Sequence, residues 1–323
     1  MAEHRPVMLA IGTATQDIFL QSPAVFNPHT EGGVEYEVLP LGAKLDVDTL
    51  TFSTGGNALN AAVTFARQGL ESYFMGTLGT EVSGDIVMSA IDKEGINNRY
   101  VRQGDVYHTG YSTILLAPNG ERTTLTYHGT KLRADGSDID LDAIAKADWL
   151  YVSSVGSVEL LERIVGVAAK HKTKVAINPS SRELSEPDKL KSILEDVSVL
   201  ITNKDEMQQL VEGKTGEELV HHALNITPTV VVSDGPRGVW ASDGKKFITA
   251  GIYEDVKVID RLGAGDAFGS GFVAMVAQGK SLEEAVTFAS ANSTSVVQTI
   301  GATVGVLHKG APVHDMPLTV IEL

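Results

Sequence analysis

The sequence predicts an α/β fold of three layers (α/β/α), in which helices cover both faces of a mostly parallel sheet that carries a small β-sheet lid. Short apolar runs alternate with stretches of helical periodicity along most of the chain, for example residues 149–153 followed by residues 159–171. This alternation is typical of parallel sheets, because each parallel pair requires a crossover connection. The lid is predicted from two strand-rich segments that interrupt the alternation.

The first predicted strand is the continuous apolar run of residues 7–12, which ends in Gly12. A run without polar alternation is typical of a strand buried on both faces of its sheet. Asp17 follows it, and ligands of open α/β sheets bind beyond the carboxyl ends of the strands. Asp17 is therefore a candidate ligand-binding residue, although an acid at such a place is also common in turns.

The two predicted lid segments are residues 18–54 and about 105–131. The first is rich in proline and glycine, with short strand patterns near its middle and its end. The second contains two alternating strands joined by Pro118-Asn119-Gly120-Glu121, and Asn-Gly in this setting indicates a hairpin. Long irregular segments inside a compact domain are usually functional. No repeat or linker marks a second unit, so we predict a single domain over residues 1–323.

Two glycines and two asparagines begin the next predicted helix, in the run Gly55-Gly56-Asn57-Ala58-Leu59-Asn60. The glycines allow a ligand to approach the backbone closely, and asparagines three residues apart share one helix face. An ordinary helix with asparagine as its cap is the alternative interpretation. We favour a polyol-binding edge formed by Gly55, Gly56, Asn57 and Asn60.

Two later strand ends carry further candidate residues. Asn203 and Glu206 follow the predicted strand of residues 197–202, three positions apart at a helix start. An amide and a carboxylate so spaced can orient metal-bound water, and the same pair fits a capping box equally well. Ser233 and Gly235 form a turn after the predicted strand of residues 229–233, a composition that is common in turns.

A glycine turn near the C-terminus is the most informative stretch of the chain. The apolar run of residues 256–259 predicts a strand, and Gly263-Ala264-Gly265 follows it at the start of a helical pattern. Such a turn directs several backbone N–H groups to one point, where they can hold an anion. Asp266 is then either a general base beside a phosphoryl group or an acid that only favours the helix N-terminus.

The same glycines also match part of a dinucleotide-binding fingerprint, which the surrounding sequence excludes. That fingerprint opens a βαβ unit, with an acidic residue about 20 positions further on. Here a second helix follows instead, beginning with the capping-box pattern Ser281-Leu282-Glu283-Glu284. No Gly-x-x-x-x-Gly-Lys-Ser/Thr P-loop is present either. A bound nucleotide must therefore be held by other means.

Composition restricts the partners. The net charge of −15 argues against a nucleic acid, because phosphate backbones are bound by lysine and arginine patches. No apolar run reaches the roughly 18 residues that a membrane span requires, and the first residues do not have the pattern of a signal peptide. The absence of cysteine excludes disulfides and thiolate metal sites, so we expect a cytoplasmic protein without membrane attachment.

Taken in order, these motifs resemble those of the ribokinase-like (PfkB) family of carbohydrate and nucleoside kinases, over essentially the whole chain. The stretch Asp260–Phe268 is similar to the family's Asp-x-x-Gly-Ala-Gly-Asp-x-Phe signature, and Gly55–Ala62 to its Gly-Gly-x-x-x-Asn-x-Ala signature. The resemblance implies a ribokinase-like fold, with ATP and Mg²⁺ as cofactors and a monovalent cation such as K⁺ as a further candidate.

The resemblance also implies roles for the candidate residues. Asp266 would be the catalytic base, and the amides of Gly263, Ala264 and Gly265 would form the anion hole. Asp17 and the Gly55–Asn60 run would bind the acceptor. The nucleotide side would comprise Asn203, Glu206 (holding the metal through water), Ser233, Gly235 and, at adenine, Asn292.

Two departures from the family pattern leave the acceptor open. Arg261 stands where the family usually has threonine, and Asn57 where ribokinases carry lysine. We therefore predict an ATP-dependent kinase that acts on a ketose, an aldose or a keto-deoxy sugar acid. An adenosine-type nucleoside kinase is the alternative within the class, and a non-catalytic sugar sensor the alternative outside it. A sensor has no need of a base such as Asp266.

The lid sequences also predict an oligomer. Thr113, Leu115, Thr123 and Leu125 recur at alternate positions, a pattern that indicates a small sheet with one apolar face. An exposed apolar face is often buried against a partner. We therefore expect a homodimer formed through the lids.

Overall fold

The computed structural model describes residues 5–254 and 256–323, in which strands and helices alternate along most of the chain. The strands are β1 (Val7–Gly12), β2 (Thr15–Gln21), β3 (His29–Glu31), β4 (Val34–Tyr36), β5 (Thr49–Gly55), β6 (Glu71–Leu78), β7 (Asn97–Gln103), β8 (Gly110–Leu116), β9 (Arg122–Tyr127), β10 (Trp149–Ser153), β11 (Lys174–Asn178), β12 (Val199–Asn203), β13 (Val230–Ser233), β14 (Val239–Ser242), β15 (Lys246–Ala250) and β16 (Leu318–Glu322). The α-helices are α1 (Asn57–Arg67), α2 (Val82–Lys93), α3 (Leu141–Lys146), α4 (Val158–His171), α5 (Ser181–Leu184), α6 (Pro187–Leu194), α7 (Lys204–Leu210), α8 (Gly216–Ala223), α9 (Ala264–Ala277) and α10 (Leu282–Val296).

A central sheet of ten strands organises the described part of the chain, in the order β16-β15-β14-β13-β12-β11-β10-β1-β6-β7. Along this order, the strands from β13 to β7 are all parallel to one another. β14, β15 and β16 extend one edge in antiparallel pairs. The predicted mostly parallel sheet is therefore confirmed, with an antiparallel edge whose last strand the sequence patterns did not indicate.

Helices cover both faces of the central sheet, so the predicted three layers are confirmed. Met8 and Ala10 of β1 pack in a core with α1, α2, α9 and α10. Leu9 and Ile11 of the same strand pack in a second core with α3, α4, α6, α7 and α8. Successive residues of a strand point to opposite faces, which explains why a strand buried on both sides is apolar throughout.

A separate sheet of four strands, in the order β5-β2-β8-β9, lies beside the central sheet. It is built from the two predicted lid segments, although it begins at Thr15, three residues before the predicted boundary. One face carries the neighbouring residues Asp17, Ser53 and Ser112. The other face carries the predicted apolar residues, among which Leu125 is 60% exposed.

The strand predicted for residues 256–259 is wrong, because the chain is irregular from residue 256 to residue 261. The N–H groups of Ile259 and Asp260 donate to Val297 O at the end of α10, rather than to a neighbouring strand. The apolar run therefore packs against a helix terminus. No helix among residues 5–254 and 256–323 is long and apolar enough to cross a membrane.

Candidate active site

A cavity of about 350 Å³ lies between the central sheet and the four-stranded sheet, and we call it the central cavity. Its floor is formed by residues at the carboxyl ends of three parallel strands: Gly12 ends β1, Ser154 follows β10 and Ser180 follows β11. Asp17 and Ser112 of the four-stranded sheet line the opposite side. This is the place where open α/β sheets bind their ligands.

The glycine turn before α9 opens onto the central cavity. Gly263 has φ of 78°, and a Cβ placed on it would lie 2.5 Å from the Cβ of Ala302, so a residue with a side chain would be strained and crowded. Asp260, almost fully buried, holds the turn by accepting hydrogen bonds from Leu262 N at 2.9 Å and Gly301 N at 3.1 Å. At the start of α9, Ala264 N donates only a long bond, to Arg261 O at 3.4 Å, and the free N–H groups of a helix N-terminus can donate to an anion.

Asp266, in the first turn of α9, presents a carboxylate to the central cavity. The pKa of this carboxyl is raised to about 6, mainly by burial; a hydrogen bond from Asn60 opposes the shift, and the negative charge of Glu206 adds to it. Asn60 Nδ2 donates to Asp266 Oδ2 at 2.8 Å. A carboxylate whose pKa lies near neutral pH is suited to accept a proton from a hydroxyl group.

The start of α1 forms a second wall of the central cavity. Gly56 has φ of 95°, and a Cβ there would lie 2.5 Å from Ala14 Cα, so the backbone passes too closely for a side chain. Asn57 donates through Nδ2 to Ser154 Oγ at 3.1 Å. Asn57 and Asn60 thus share one helix face as predicted. Asn60 also lines the cavity: its Nδ2 is bonded to Asp266, and its buried Oδ1 has no partner in the described chain.

Asp17 lines the central cavity from β2 and is only 3% exposed. Its Oδ1 accepts a hydrogen bond from Thr15 Oγ1 at 3.0 Å. Burial raises the pKa of its carboxyl, and hydrogen bonds from Thr15 and Ser112 oppose the shift. Gly55 packs against it, since a Cβ on Gly55 would lie 2.1 Å from Asp17 Oδ2. Its position in a strand excludes the interpretation of Asp17 as a turn residue.

Asn203 and Glu206 form the capping box at the start of α7. Asn203 Oδ1 accepts from Glu206 N at 2.8 Å, and Glu206 Oε2 accepts from Asn203 N at 2.9 Å. Burial raises the pKa of the Glu206 carboxyl. Neither residue lines the central cavity, but Glu206 is close enough to Asp266 to affect its pKa. The capping interpretation is therefore correct, and it leaves Glu206 Oε1 available to a metal-bound water.

The remaining nucleotide-side candidates lie apart from the central cavity. Ser233 pairs with Asn203 across β13 and β12, so both stand at the carboxyl edge of the sheet. Gly235 follows with φ of 52°, in a turn where Asp234 accepts from Arg237 Nε at 2.7 Å.

Asn292 does not fit the predicted contact with a nucleotide. Its side chain is fully buried within α10. Nδ2 donates to Ala267 O at 2.8 Å, and Oδ1 accepts from Leu307 N at 2.8 Å. Both ends of the amide are thus used inside the protein, and they tie α10 to the start of α9. These contacts correct the sequence-based expectation, because Asn292 can reach a ligand only if they break.

The described residues fit a magnesium ion that is held mainly by phosphate and water. Among residues 5–254 and 256–323, no cluster of three or more carboxylates or histidines could hold a metal by itself. Mg²⁺ usually keeps several waters and takes one or two carboxylates together with substrate phosphates. The Tyr151 hydroxyl is buried and has no hydrogen-bond partner in the described chain. Burial raises the pKa of its phenol, and the charges of Asp266 and Glu206 raise it too, so the three groups are near one another.

Sequence patterns missed several residues of the central cavity. Ser112, Ser154, Lys131 and Arg182 all line it. Serines carry little signal in a sequence, although the φ of 57° at Ser154 marks a strained backbone of the kind found at functional sites. Lys131 comes from the loop after β9 and Arg182 from α5, far apart in the sequence, so no local spacing could have joined them.

Comparisons with known proteins show the family and the fold of this chain. Residues 33–309 match the sequence profile of the pfkB family carbohydrate kinases. A ribokinase of Arabidopsis thaliana is 25% identical over 93% of this chain and 78% of its own length. A 5-dehydro-2-deoxygluconokinase of Bacillus subtilis is 29% identical over 77% of this chain and 83% of its own. The solved structure of Arabidopsis thaliana ribokinase complexed with ribose and ATP superimposes with a TM-score of 0.76 and 22% identity, over 94% of this chain and 96% of that one.

Proposed function

The chain belongs to the pfkB family of carbohydrate kinases, and on this premise we propose that it transfers a phosphoryl group from ATP to one hydroxyl of a small sugar bound in the central cavity. The observation that carries the proposal is the Asp266 carboxylate, which lies on that cavity at the first turn of α9 with a pKa of about 6. The candidate base, Asp266, therefore lies next to the N-terminus of α9, which can bind an anion.

In the proposed mechanism, Asp266 accepts the proton of the sugar hydroxyl while the hydroxyl oxygen attacks the γ-phosphorus of ATP. A new bond forms between that oxygen and phosphorus, and the bond to the bridging oxygen of ADP breaks. The amides of Gly263, Ala264 and Gly265 stabilise the negative charge on the transferring group. Asn60 supports this role because its bond to Asp266 Oδ2 holds the carboxylate in place.

The acceptor would be held by Asp17 and by the start of α1. Asp17 is buried on the cavity side of β2, where a carboxylate can accept hydrogen bonds from sugar hydroxyls. Gly55 and Gly56 leave room for that carboxylate and for the ligand, and Asn57 adds an amide. The small sheet that carries Asp17 would act as the lid of a single domain over residues 1–323.

ATP would bind over the carboxyl ends of β12 and β13, near Asn203, Ser233 and Gly235. Kinases of this family use ATP, and a bound Mg²⁺ would supply positive charge that neutralises its phosphates. Glu206 would hold the ion through water, since its Oε1 takes no part in the capping box. Activation by K⁺ stays a prediction that the family resemblance implies.

We further propose a homodimer formed through the lids. The face of the four-stranded sheet that points away from the central cavity exposes Leu50, Phe52, Leu125 and Tyr127, each by about half or more. We expect the same face of a second copy of the chain to cover this apolar face, because contacts between identical surfaces form closed twofold dimers. Replacing Phe52 with Glu should convert the dimer to a monomer in sedimentation, and a wild-type monomer would contradict the proposal.

A screen of acceptors tests the function directly. Relatives named for ribose and for 5-dehydro-2-deoxygluconate differ in their acceptors, so ketoses, aldoses, keto-deoxy sugar acids and nucleosides should all be tried with ATP and Mg²⁺. We expect ADP release that depends on a sugar and yields one sugar phosphate for each ADP. Turnover with nucleosides alone would identify a nucleoside kinase, and sugar binding without turnover a sensor.

A further inference from the structure

Two cationic side chains line the central cavity without any role in the mechanism above. Lys131 lies in the loop that leads from β9 back to the central sheet, and Arg182 lies in α5, after β11. Asp266 and Asp17 line the same cavity. The cavity therefore carries both carboxylates and cations, contributed by separate elements of the fold.

Neither cation is neutralised by the protein. In the described part of the chain, no carboxylate forms an ion pair within 4.0 Å of Lys131 or Arg182, and neither side chain has a hydrogen-bond partner. Burial lowers the pKa of Lys131, and the positive charge of Arg182 lowers it further. Two like charges held near each other are unfavourable unless an anion joins them.

The nearest acidic group is already occupied. Glu183 raises the pKa of Lys131 slightly, so its charge is felt there. However, Glu183 Oε1 accepts from Gly156 N at 2.7 Å, and Oε2 accepts from Ser180 N at 2.8 Å and also from Ser180 Oγ. It is buried to 1% exposure by these contacts. Glu183 thus shapes the loops around the cations and does not bind either of them.

The surroundings of the two cations suit an anionic group. Gly156 packs against Lys131, since a Cβ there would lie 3.4 Å from Lys131 Cδ. Ser154, Ser180 and Ser181 add hydroxyl groups to the same lining. Arginine, lysine and hydroxyl donors around an open space are the groups that bind carboxylates and phosphates.

Lys131 is half-buried and Arg182 is exposed where it lines the cavity, and both remain unpaired within the described residues, although the chain carries a net charge of −15. We infer that the sugar acceptor is itself anionic, with a carboxylate or phosphate group bound by Lys131 and Arg182 while one of its hydroxyls faces Asp266. This inference rests on the proposed function and deepens it. It names Lys131 and Arg182 as specificity-determining residues and disfavours neutral sugars.

Matched pairs of acceptors test the inference. Each pair consists of a neutral sugar and either the sugar acid or the sugar phosphate with the same carbon chain. In the wild type, kcat/KM should be higher for the anionic member of each pair. If the ratio of anionic to neutral kcat/KM is larger for the sugar acids, the bound group is a carboxylate; if it is larger for the sugar phosphates, the group is a phosphate. In Lys131→Met and Arg182→Gln, the ratio of anionic to neutral kcat/KM should fall about 10- to 100-fold, the range of one hydrogen bond to a charged group.

Lys170→Met is the matched control, because Lys170 is an exposed cation in the last turn of α4, outside the cavity. The ratio of anionic to neutral kcat/KM in Lys170→Met should equal that of the wild type. The inference is overturned if the wild type prefers the neutral members, or if both cation variants keep the wild-type ratio. A variant effect on the KM of ATP alone would also overturn it, because the cations would then serve the nucleotide.

A binding assay separates failure of this inference from failure of the proposed function. If no sugar in any pair is phosphorylated, the proposed function fails and inorganic phosphate becomes the probe. Phosphate should raise the melting temperature of the wild type and of Lys170→Met, and raise it less in Lys131→Met and Arg182→Gln. Equal stabilisation of all four proteins would overturn the inference.

Discussion

Asn60 donates its side-chain amide to the carboxylate of Asp266 at 2.8 Å, across 206 residues of sequence. The bond joins the first turn of α9 to α1. A second, buried bond between Ser270 Oγ and Thr64 Oγ1, 2.8 Å long, joins the same two helices one turn further along. The candidate base is therefore held by a helix that also lines the acceptor wall, and a change in either helix should be felt at the carboxylate.

Replacement of Asp266 by Asn should lower kcat about 10²–10⁴-fold, the range for loss of a general base. The KM of the acceptor should change little, because an amide of the same shape still fits the cavity. Steady-state kinetics with the best acceptor of the screen measures both constants. Asp188→Asn, at a side chain that is 98% exposed on α6, is the control. Turnover near the wild-type value would remove Asp266 from the mechanism.

Activity should depend on pH through Asp266. Because burial raises its pKa to about 6, the carboxylate is protonated below that pH and cannot accept a proton. We expect kcat/KM to rise with pH and level off above an apparent pKa of about 6. The Asn60 bond lowers this pKa, so Asn60→Ala should move the midpoint to higher pH.

Thr64→Val is the control for that shift. It removes the bond between Thr64 and Ser270 without touching the Asp266 carboxylate. Its midpoint should equal that of the wild type even if the protein becomes less stable. A profile that is flat between pH 5 and pH 8 in the wild type, with the rate limited by chemistry, would show that Asp266 does not titrate as the base.

Gly55→Ala should reproduce the effect of Asp17→Ala. The new Cβ would lie 2.1 Å from Asp17 Oδ2 and must displace the carboxylate. Both variants should raise the KM of the acceptor much more than that of ATP, because unpaired sugar hydroxyls weaken binding in a buried site. Gly166→Ala, where a Cβ meets nothing within 4 Å, is the control. Equal effects on both substrates would indicate that Asp17 supports the fold instead.

Acceptor binding should protect the lid from hydrogen exchange. Phosphoryl transfer must exclude water, since the γ-phosphate would otherwise be hydrolysed. Amides in residues 18–54 and 105–131 should exchange more slowly when the acceptor is bound, whereas ATP alone should leave them unchanged. Residues 318–322 of the edge strand β16 are the internal control. Unaltered exchange in both lid segments on acceptor binding would contradict their role as the lid.

The contact made by Arg261 could be found only from the fold. In the sequence Arg261 stands out as an arginine where the family usually has threonine. In the structure, Arg261 Nε lies 3.6 Å from Oε1 of Glu121, and Glu121 lies in the hairpin turn between β8 and β9. The four-stranded sheet therefore touches the loop that carries the glycine turn. Both side chains are exposed, so the pair contributes little stability.

The sequence by itself determined the alternation of strands and helices over most of the chain, the glycine turn, Asp266 and the run from Gly55 to Asn60. These features are local: apolar periodicity reports burial, and a glycine turn at a helix start has one geometry wherever it occurs. Tertiary structure alone decided that Asn60 bonds to Asp266, that residues 256–259 pack against a helix end, and that Lys131 and Arg182 meet in one cavity. Those relationships join segments far apart in the chain, and which of them come together depends on how the helices and loops pack around the sheet.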